Sequence, residues 1–600
     1  MTFNLFVLPF ILGLIFLIYI LVKKNRNWIH AMDPIDRKKL KVGFRSPKLI
    51  LAIKEIFFES LLHRKMYRKN PLLGYMHMSF AFGWFLLILA GNMESRIYSG
   101  LWINPPYYPI FLKFFIHDKN VLPFEIFTVP GFFKFSMDLL LMFILSGLVL
   151  AIIKRSHSRW FGLKKTTQHQ FTDKVAMICL WMIFPLRLLA ESMTAGAYGY
   201  GGGFVTQHVG NVLAFLWPLS DKDIAYSFWW MYSLSLGIFF VTLPYSRYMH
   251  IPTEVMLILY RNFGVTLKNP QAFISEMEVL SCPRCGVCID VCQMNTAAGI
   301  NDIQAVYFLQ SIRNQQVVDE LVTRCLVCGR CQEVCPVGIH TDFQRITLRE
   351  SFLQPQKQDF SYLDKEENSP GAEVIYFAGC MSHLTPAIPI AMKKILDVAG
   401  VNFLFLDNDR SVCCGRPMML AGKREQASKL IEKNKKSISV SGATSLVTSC
   451  PICFRMFREE YGLDIRILHH TQFILELVKK GRLPLQAYYR KVAYHDPCDL
   501  GRGSGILDEP RELVRKIADP VALAQEGKDA PCCGGSLGLL NADNDERDLI
   551  IKDALANYLS GDAELLVTAC PLCKKTFAKH SPLEVVDVAE LVAGAIPKAS

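Results

Sequence analysis

Eighteen of the nineteen cysteines in this 600-residue chain fall between Cys282 and Cys573, in four counted patterns. Cys282, Cys285, Cys288 and Cys292 are spaced C-x2-C-x2-C-x3-C. Cys325, Cys328, Cys331 and Cys335 repeat that spacing, and Pro336 follows the second run. Thiols at such intervals make the backbone wrap a shared metal site, which closes off most of the ways this stretch can fold. A structural zinc site takes four ligands in two C-x-x-C pairs, which leaves the regular third and fourth cysteines of each run unexplained. Iron–sulfur ligation accounts for all eight.

The other ten patterned cysteines form an internal duplication. Cys380, the pair Cys413-Cys414 before Gly415, and Cys450-Pro-Ile-Cys453 make the first copy. Cys498, the pair Cys532-Cys533 before Gly534, and Cys570-Pro-Leu-Cys573 make the second. Matching cysteines are offset by 118 to 120 residues, the size of a small domain. Disulfides are not expected, because clustered cysteines on the reducing side of a membrane favour metal binding.

The eight-cysteine pair resembles the bacterial two-cluster ferredoxin run, in which each [4Fe–4S] cube takes three thiolates from one run and the fourth from the other. Applied here, that places Cys282, Cys285, Cys288 and Cys335 on one cube, and Cys325, Cys328, Cys331 and Cys292 on the second. One departure is Gln293, where the first run lacks the usual proline. The ten duplicated cysteines resemble those of the CCG-domain proteins, the family of the heterodisulfide reductase catalytic subunit. The resemblance implies one noncubane [4Fe–4S] cluster on Cys380, Cys413, Cys414, Cys450 and Cys453, and another on Cys498, Cys532, Cys533, Cys570 and Cys573. Four clusters follow, two cubane and two noncubane. Buried cysteines or a structural zinc site are the plainer alternative for these ten.

The first part of the chain is apolar. Five stretches are long enough to cross a lipid bilayer at about 20 residues per helix: Phe3 to Val22, Leu72 to Ala90, Phe135 to Ile153, Val175 to Met193 and Phe228 to Tyr245. Residues 23 to 70 carry fourteen Lys and Arg and the loop from Lys154 to Lys174 is basic too, whereas 194 to 227 holds only Lys222. The positive-inside rule makes the basic loops cytoplasmic. A multi-pass protein of the cytoplasmic membrane is expected, N-terminus outside and iron–sulfur half in the cytoplasm. The first stretch reads as a membrane helix and not a signal peptide, since nothing basic precedes it and no cleavage site is evident. The net charge of +12 is largely this loop bias, and no motif for nucleic acid accompanies it.

Histidine inside a membrane helix is costly and usually functional. His77, in the first turns of the second stretch, and His250, at the end of the fifth, are placed near the cytoplasmic surface to hold one heme b between them. His63 is an alternative partner among basic residues, and interfacial histidines without a heme are the plainer reading. The region resembles the nitrate reductase gamma subunit family of diheme cytochromes b. Its outer heme takes a histidine about ten residues beyond the first and another about eighteen before the last, positions held here by Leu87 and Tyr232, so one heme is expected. Arg187 and Glu191 share a helix face four residues apart. Such a pair lines a quinone or proton path, or locks two helices together. Cys179 stands apart as a packing residue.

The expected organisation is multidomain: an α-helical transmembrane bundle over 1–250, an α-helical ferredoxin-like two-cluster domain over 251–350, a linker over 351–370, and duplicated α/β CCG domains over 371–485 and 486–600. The whole arrangement resembles the membrane-bound iron–sulfur oxidoreductases that link electron transfer flavoprotein to menaquinone. That resemblance implies a soluble flavoprotein partner on one side and a membrane quinone on the other. A membrane-linked heterodisulfide reductase is the rival. The glycine-rich stretches Gly201 to Gly203 and Gly501 to Gly505 lack the strand–turn–helix setting of a nucleotide fingerprint, so flavin is expected on a partner.

Overall fold

The computed structural model describes residues 3–116, 129–157, 160, 169–199, 201–216, 222–265, 273–352, 371–410, 412–487 and 490–597. Residues 353–370 of the expected linker, and 158–159 and 161–168 of the second basic loop, lie outside the described residues. The chain divides into two compact units, Met1–Gly286 and Val287–Ser600.

In the first unit five helices are long and apolar enough to cross a membrane. They are α1 (Leu8–Ala31), α2 (Pro71–Ser99), α3 (Val129–Ser156), α4 (Phe171–Tyr198) and α5 (Lys222–Thr242). Helix α1 packs on α5, α5 on α4, and α2 on α3. A methyl group on Gly13 of α1 would meet the Gly237 carbonyl oxygen of α5 at 2.6 Å, and one on Gly147 of α3 would collide with Ser79 Oγ of α2. Apolar helices gain little by leaving lipid for one another, so such close approach at small residues supplies the packing. Asn70 caps α2 by accepting the Leu73 N–H at 3.0 Å, and Gly100, at φ +66°, ends it. The helix thus runs past the expected end at Ala90. An apolar window marks the hydrocarbon slab, whereas a helix stops where its backbone is capped, and the extension carries Glu94.

In the second unit all regular structure between 287 and 352 is helical, from Val287–Asp290 to Thr341–Phe352. Two four-stranded sheets follow. Strands β1 (Val374–Phe377), β2 (Phe403–Phe405), β3 (Ser445–Thr448) and β4 (Arg466–His469) lie in the order β2-β1-β3-β4; β5 (Lys491–His495), β6 (Asp519–Pro520), β7 (Leu565–Thr568) and β8 (Glu584–Asp587) repeat it as β6-β5-β7-β8. Every pairing is parallel. Strands β1, β3 and β7 are buried along their whole length, as parallel strands covered on both faces are. The copies share one core, in which Tyr376, Ile388 and Ile395 join Tyr494, Leu513 and Val588. Each such side chain contributes roughly 1.5–3 kcal/mol of burial. The fold has the expected parts: apolar helices, a helical cysteine-rich region and a duplicated α/β pair.

Candidate metal centres

Patterned cysteines leave the sheets at the carboxyl ends of central strands, where open parallel sheets bind their ligands. Cys380 follows β1, Cys450 follows β3, Cys498 follows β5 and Cys570 follows β7. In the first copy the thiols make one contiguous series of side-chain contacts, Cys380–Cys413–Cys414–Cys453–Cys450. The second copy repeats it as Cys498–Cys532–Cys533–Cys573–Cys570. Five thiols in one series, the same in both copies, suit a multinuclear cluster, because vicinal Cys413 and Cys414 each find a different neighbour. Gly415 and Gly534 have φ of +87° and +80°, a left-handed turn that costs glycine least. A Cβ on Gly379 would stand 2.9 Å from Cys453 Sγ, so the strand-to-cysteine loop also needs its glycine.

The C-x2-C-x2-C runs share a second signature. Arg284 and Gly286 in the first have φ of +52° and +88°; Val327 and Gly329 in the second have +54° and +75°. A β-branched valine is a real outlier there, so the loop geometry is imposed on it. The turn aims amides at thiols: Val327 N–H donates to Cys325 Sγ at 3.3 Å, and Arg284 N–H to Cys282. Such bonds to sulfur tune cluster potentials. Cys292 lies within electrostatic reach of Cys325, Cys328 and Cys331. Burial, reinforced by these neighbours, pushes the Cys292 and Cys331 thiols up to about 12. Buried thiols raised in this way become anionic around a cation, which the irons of a cluster provide. The donor set therefore fits a cluster. Of the other expected set, Cys282 and Cys285 belong to the first unit and Cys288 and Cys335 to the second.

Thiols of different sites also approach one another within the second unit. Cys450 and Cys570 lie within electrostatic reach, and Cys328 touches Cys532 side chain to side chain.

In the first unit the structure brings His63, His77 and His250 together. The His63 and His77 rings are 5.4 Å apart, and His250, Lys154 and Arg247 all lie within electrostatic reach of His77. His77 Nε2 is buried without a hydrogen-bond partner. His250 Nδ1 is 2.7 Å from the Arg247 carbonyl; an Nδ1–H donating there puts the ring's lone pair on Nε2, the tautomer metal ligation uses. His63 follows a π-helical turn, Ile56–Leu61, and is itself left-handed at φ +49°, irregularities that concentrate at functional sites. Burial lowers its imidazole to about 4, which keeps it neutral, as a ligand must be.

Comparison with known proteins agrees with this geometry. Residues 374–458 and 492–578 match the CCG cysteine-rich domain, and 278–339 match the 4Fe-4S dicluster domain. The chain is 26% identical over 400 residues to one component of the dihydromethanophenazine:CoB–CoM heterodisulfide reductase of Methanosarcina acetivorans, spanning 56% of this chain and 97% of the relative. It is 22% identical over 482 residues to the EtfAB:quinone oxidoreductase of Syntrophomonas wolfei, spanning 61% and 67%. It is also 22% identical over 351 residues to one component of the fumarate reductase (CoM/CoB) of Methanothermobacter marburgensis, spanning 52% and 70%. The chain is a CCG-domain iron–sulfur oxidoreductase.

This CCG-domain oxidoreductase carries buried charged side chains that a reading of its cysteines and histidines misses. Asp173 pairs with Arg284 in the loop between Cys282 and Cys285, and its second oxygen accepts the Arg247 N–H at 2.6 Å. One carboxylate thus ties the start of α4 to a cysteine loop and to the turn before His250. Nothing local marks it, because its partners are distant in sequence. Asp173→Ala is expected to cost about 3–5 kcal/mol, the penalty for leaving a buried partner unpaired. A lowered thermal midpoint of the purified protein checks this, and an unchanged midpoint contradicts it.

Arg187 Nε donates to Glu191 Oε1 at 2.9 Å, and both are buried. Close by, Lys113 Nζ donates to Glu94 Oε1 at 2.7 Å, also buried. Tyr232 bonds to Arg187 and packs on Phe111 and Trp229 at 5.6 and 5.9 Å. Glu94 escaped the sequence reading because it lies beyond the apolar window of α2.

Proposed function

We propose that this oxidoreductase carries electrons between reduced electron transfer flavoprotein and menaquinone of the cytoplasmic membrane. The observation behind the reading is the run of thiols through the second unit. It passes along the first CCG site to Cys450, across to Cys570, along the second site to Cys532, and on to Cys328 among Cys292, Cys325 and Cys331. With the ligand sets assigned above, the two five-cysteine sites hold noncubane clusters and the two ferredoxin runs hold cubes, the first on Cys282, Cys285, Cys288 and Cys335. When bound, such clusters take up and release single electrons, which lets a flavin exchange with a quinone at a distance. The relative that is an EtfAB:quinone oxidoreductase supports the choice of flavoprotein and quinone.

His77 and His250 are proposed as the ligands of one heme b, with His63 packed against His77 as the alternative partner. Lys154 and Arg247 offer positive charge beside them, suited to the carboxylates of a heme. Lys154 also lies within electrostatic reach of Cys285, so the cysteine loop and the histidines share a neighbourhood. Support for a single heme comes from the outer half of the bundle, where Leu87 and Tyr232 are buried in side-chain packing. The basic loops favour a cytoplasmic location for the cluster half and an N-terminus outside.

Arg187 and Glu191 are proposed to hold or move a proton for the quinone, which takes up two protons with two electrons. Glu191→Gln is expected to slow quinone reduction about 100-fold or more while iron, sulfide and heme stay at wild-type amounts, a loss in the range of general acid–base contributions. Unchanged turnover would assign the pair to helix packing.

The test of the main reading is anaerobic purification in detergent, with metal content measured and spectra followed as reduced flavoprotein and a menaquinone analogue are added. Four clusters predict about sixteen irons, with one heme b and flavoprotein-dependent quinone reduction. The 97% coverage of a heterodisulfide reductase component favours a second reading, thiol–disulfide chemistry linked to a quinone-type pool. The same metal content, no response to flavoprotein and oxidation by a mixed disulfide would select it.

A further inference from the structure

The two CCG sites are not equivalent in their surroundings, and the difference centres on two side chains outside every ligand set. Gln293, 2% exposed, directly follows Cys292. Its side-chain amide reads both sides of the Cys532 backbone: the Cys532 N–H donates to Gln293 Oε1 at 2.7 Å, and Gln293 Nε2 donates to the Cys532 carbonyl at 3.2 Å. Nε2 also reaches Asp553 Oδ2 at 3.2 Å, so the amide is held from both ends.

Arg502 makes the reciprocal contact. It lies on the helix Cys498–Ser504, which opens with a ligand of the second CCG site. Its Nε donates to the Cys328 carbonyl at 2.7 Å, and Nη1 donates to the carbonyls of Ala530 and Lys528 at 2.7 and 3.1 Å. Its charge lies within electrostatic reach of Cys328, Cys498 and Cys532. Nη2 is buried with no hydrogen-bond partner, so both of its N–H groups still lack an acceptor in the midst of thiols. Around this pair the loop after Cys533 lies on the loop before Cys328: Ser536 Oγ donates to the Leu326 carbonyl at 2.5 Å, and Leu540 N–H donates to the Thr323 carbonyl at 3.1 Å. At the first CCG site the counterpart of Arg502, four residues after Cys380, is Leu384, which is 57% exposed. Among the described residues, only the second site is clamped to a ferredoxin-type loop by this device.

We propose that Gln293 and Arg502 are positioning residues that lock the second CCG site and the Cys292–Cys325–Cys328–Cys331 site into one electron-transfer junction, with the Arg502 guanidinium as a positive charge shared by both. A residue beside a ligand of one site holds the backbone of a ligand of the other, in both directions, which fixes their separation. A permanent cation between two anionic sites favours the reduced form of each. One electron crosses with no bond made or broken, and Arg502 keeps its proton. This rests on the four-cluster reading above, and the test separates the two.

The full-length chain is purified anaerobically in detergent as wild type, Arg502→Met, Arg502→Lys and Gln293→Leu. Iron and sulfide are quantified, and potentials are read by EPR-monitored redox titration. Arg502→Met with full iron is expected to shift the reduction equilibrium of both sites about tenfold toward the oxidised form, about 59 mV for a one-electron couple. Gln293→Leu, which leaves the charge in place, is expected to keep both potentials and weaken the magnetic coupling between the two reduced sites. Full iron with both potentials unmoved in Arg502→Met, or with only one moved, overturns the shared charge. If Arg502→Met loses iron, Arg502→Lys decides: wild-type potentials with weakened coupling support the clamp, and wild-type coupling overturns it. Wild-type protein that binds no iron would instead refute the cluster reading itself.

Discussion

His77→Ala is expected to empty the membrane unit of heme while iron and sulfide stay at wild-type amounts. Quinone reduction by the flavoprotein should fall by a factor of at least about 100, since even losing a partner of a metal ligand costs 10–100-fold. The expectation rests on three features. His77 Nε2 is buried and unpartnered, a state that costs free energy unless something binds there. Two further histidines lie around it, and Lys154 and Arg247 place positive charge beside it. The clusters depend on ligands in other parts of the chain, so the loss should be selective. A reduced-minus-oxidised spectrum with the heme bands missing, beside unchanged iron, is the supporting result. His250→Ala should reproduce it; if His63→Ala does so instead, the pairing moves to His63 and His77. A His77→Ala protein with full heme would remove the heme assignment.

The second large effect is expected from Cys533→Ser. Cys533 touches both Cys532 and Cys573, so its loss breaks the thiol series of the second CCG site in the middle. That site stands between the first CCG site and the cysteines around Cys328. The variant should lose about a quarter of its iron, one cluster in four, and electrons supplied by the flavoprotein should no longer reach the quinone. Cys179→Ser, in α4 and outside every series, should retain both. Full iron content in Cys533→Ser would show that this cysteine is not a ligand; reduced iron with normal turnover would show that electrons bypass the second site.

Much of the architecture is legible in one dimension because spacing carries it. A thiol two or three residues from the next can meet the same cluster only through a tight loop, so the count of residues implies the turn, and Arg284 and Val327 adopt the same left-handed conformation in the two runs. The duplicated α/β pair was expected, and β1, β3 and β7 are buried along their whole length, as parallel strands covered on both faces are. Five apolar stretches predicted α1 to α5, although the ends of α2 did not follow from hydropathy.

Contacts between distant segments were not legible. Gln293 was visible only as a missing proline, and its reason, the bidentate hold on Cys532, lies 239 residues away. Arg502 lies inside the glycine-rich stretch Gly501 to Gly505, and its guanidinium binds the Cys328 carbonyl 174 residues off. Asp173 and Glu94 are single carboxylates that no motif announces. The sequence by itself determined which thiols fall in counted, repeated patterns and which stretches are apolar, because local spacing and local hydrophobicity are properties of neighbours along the chain. Only the tertiary structure decided which CCG site adjoins a ferredoxin-type loop and which charges meet inside the bundle, because those pairings depend on how the chain returns on itself.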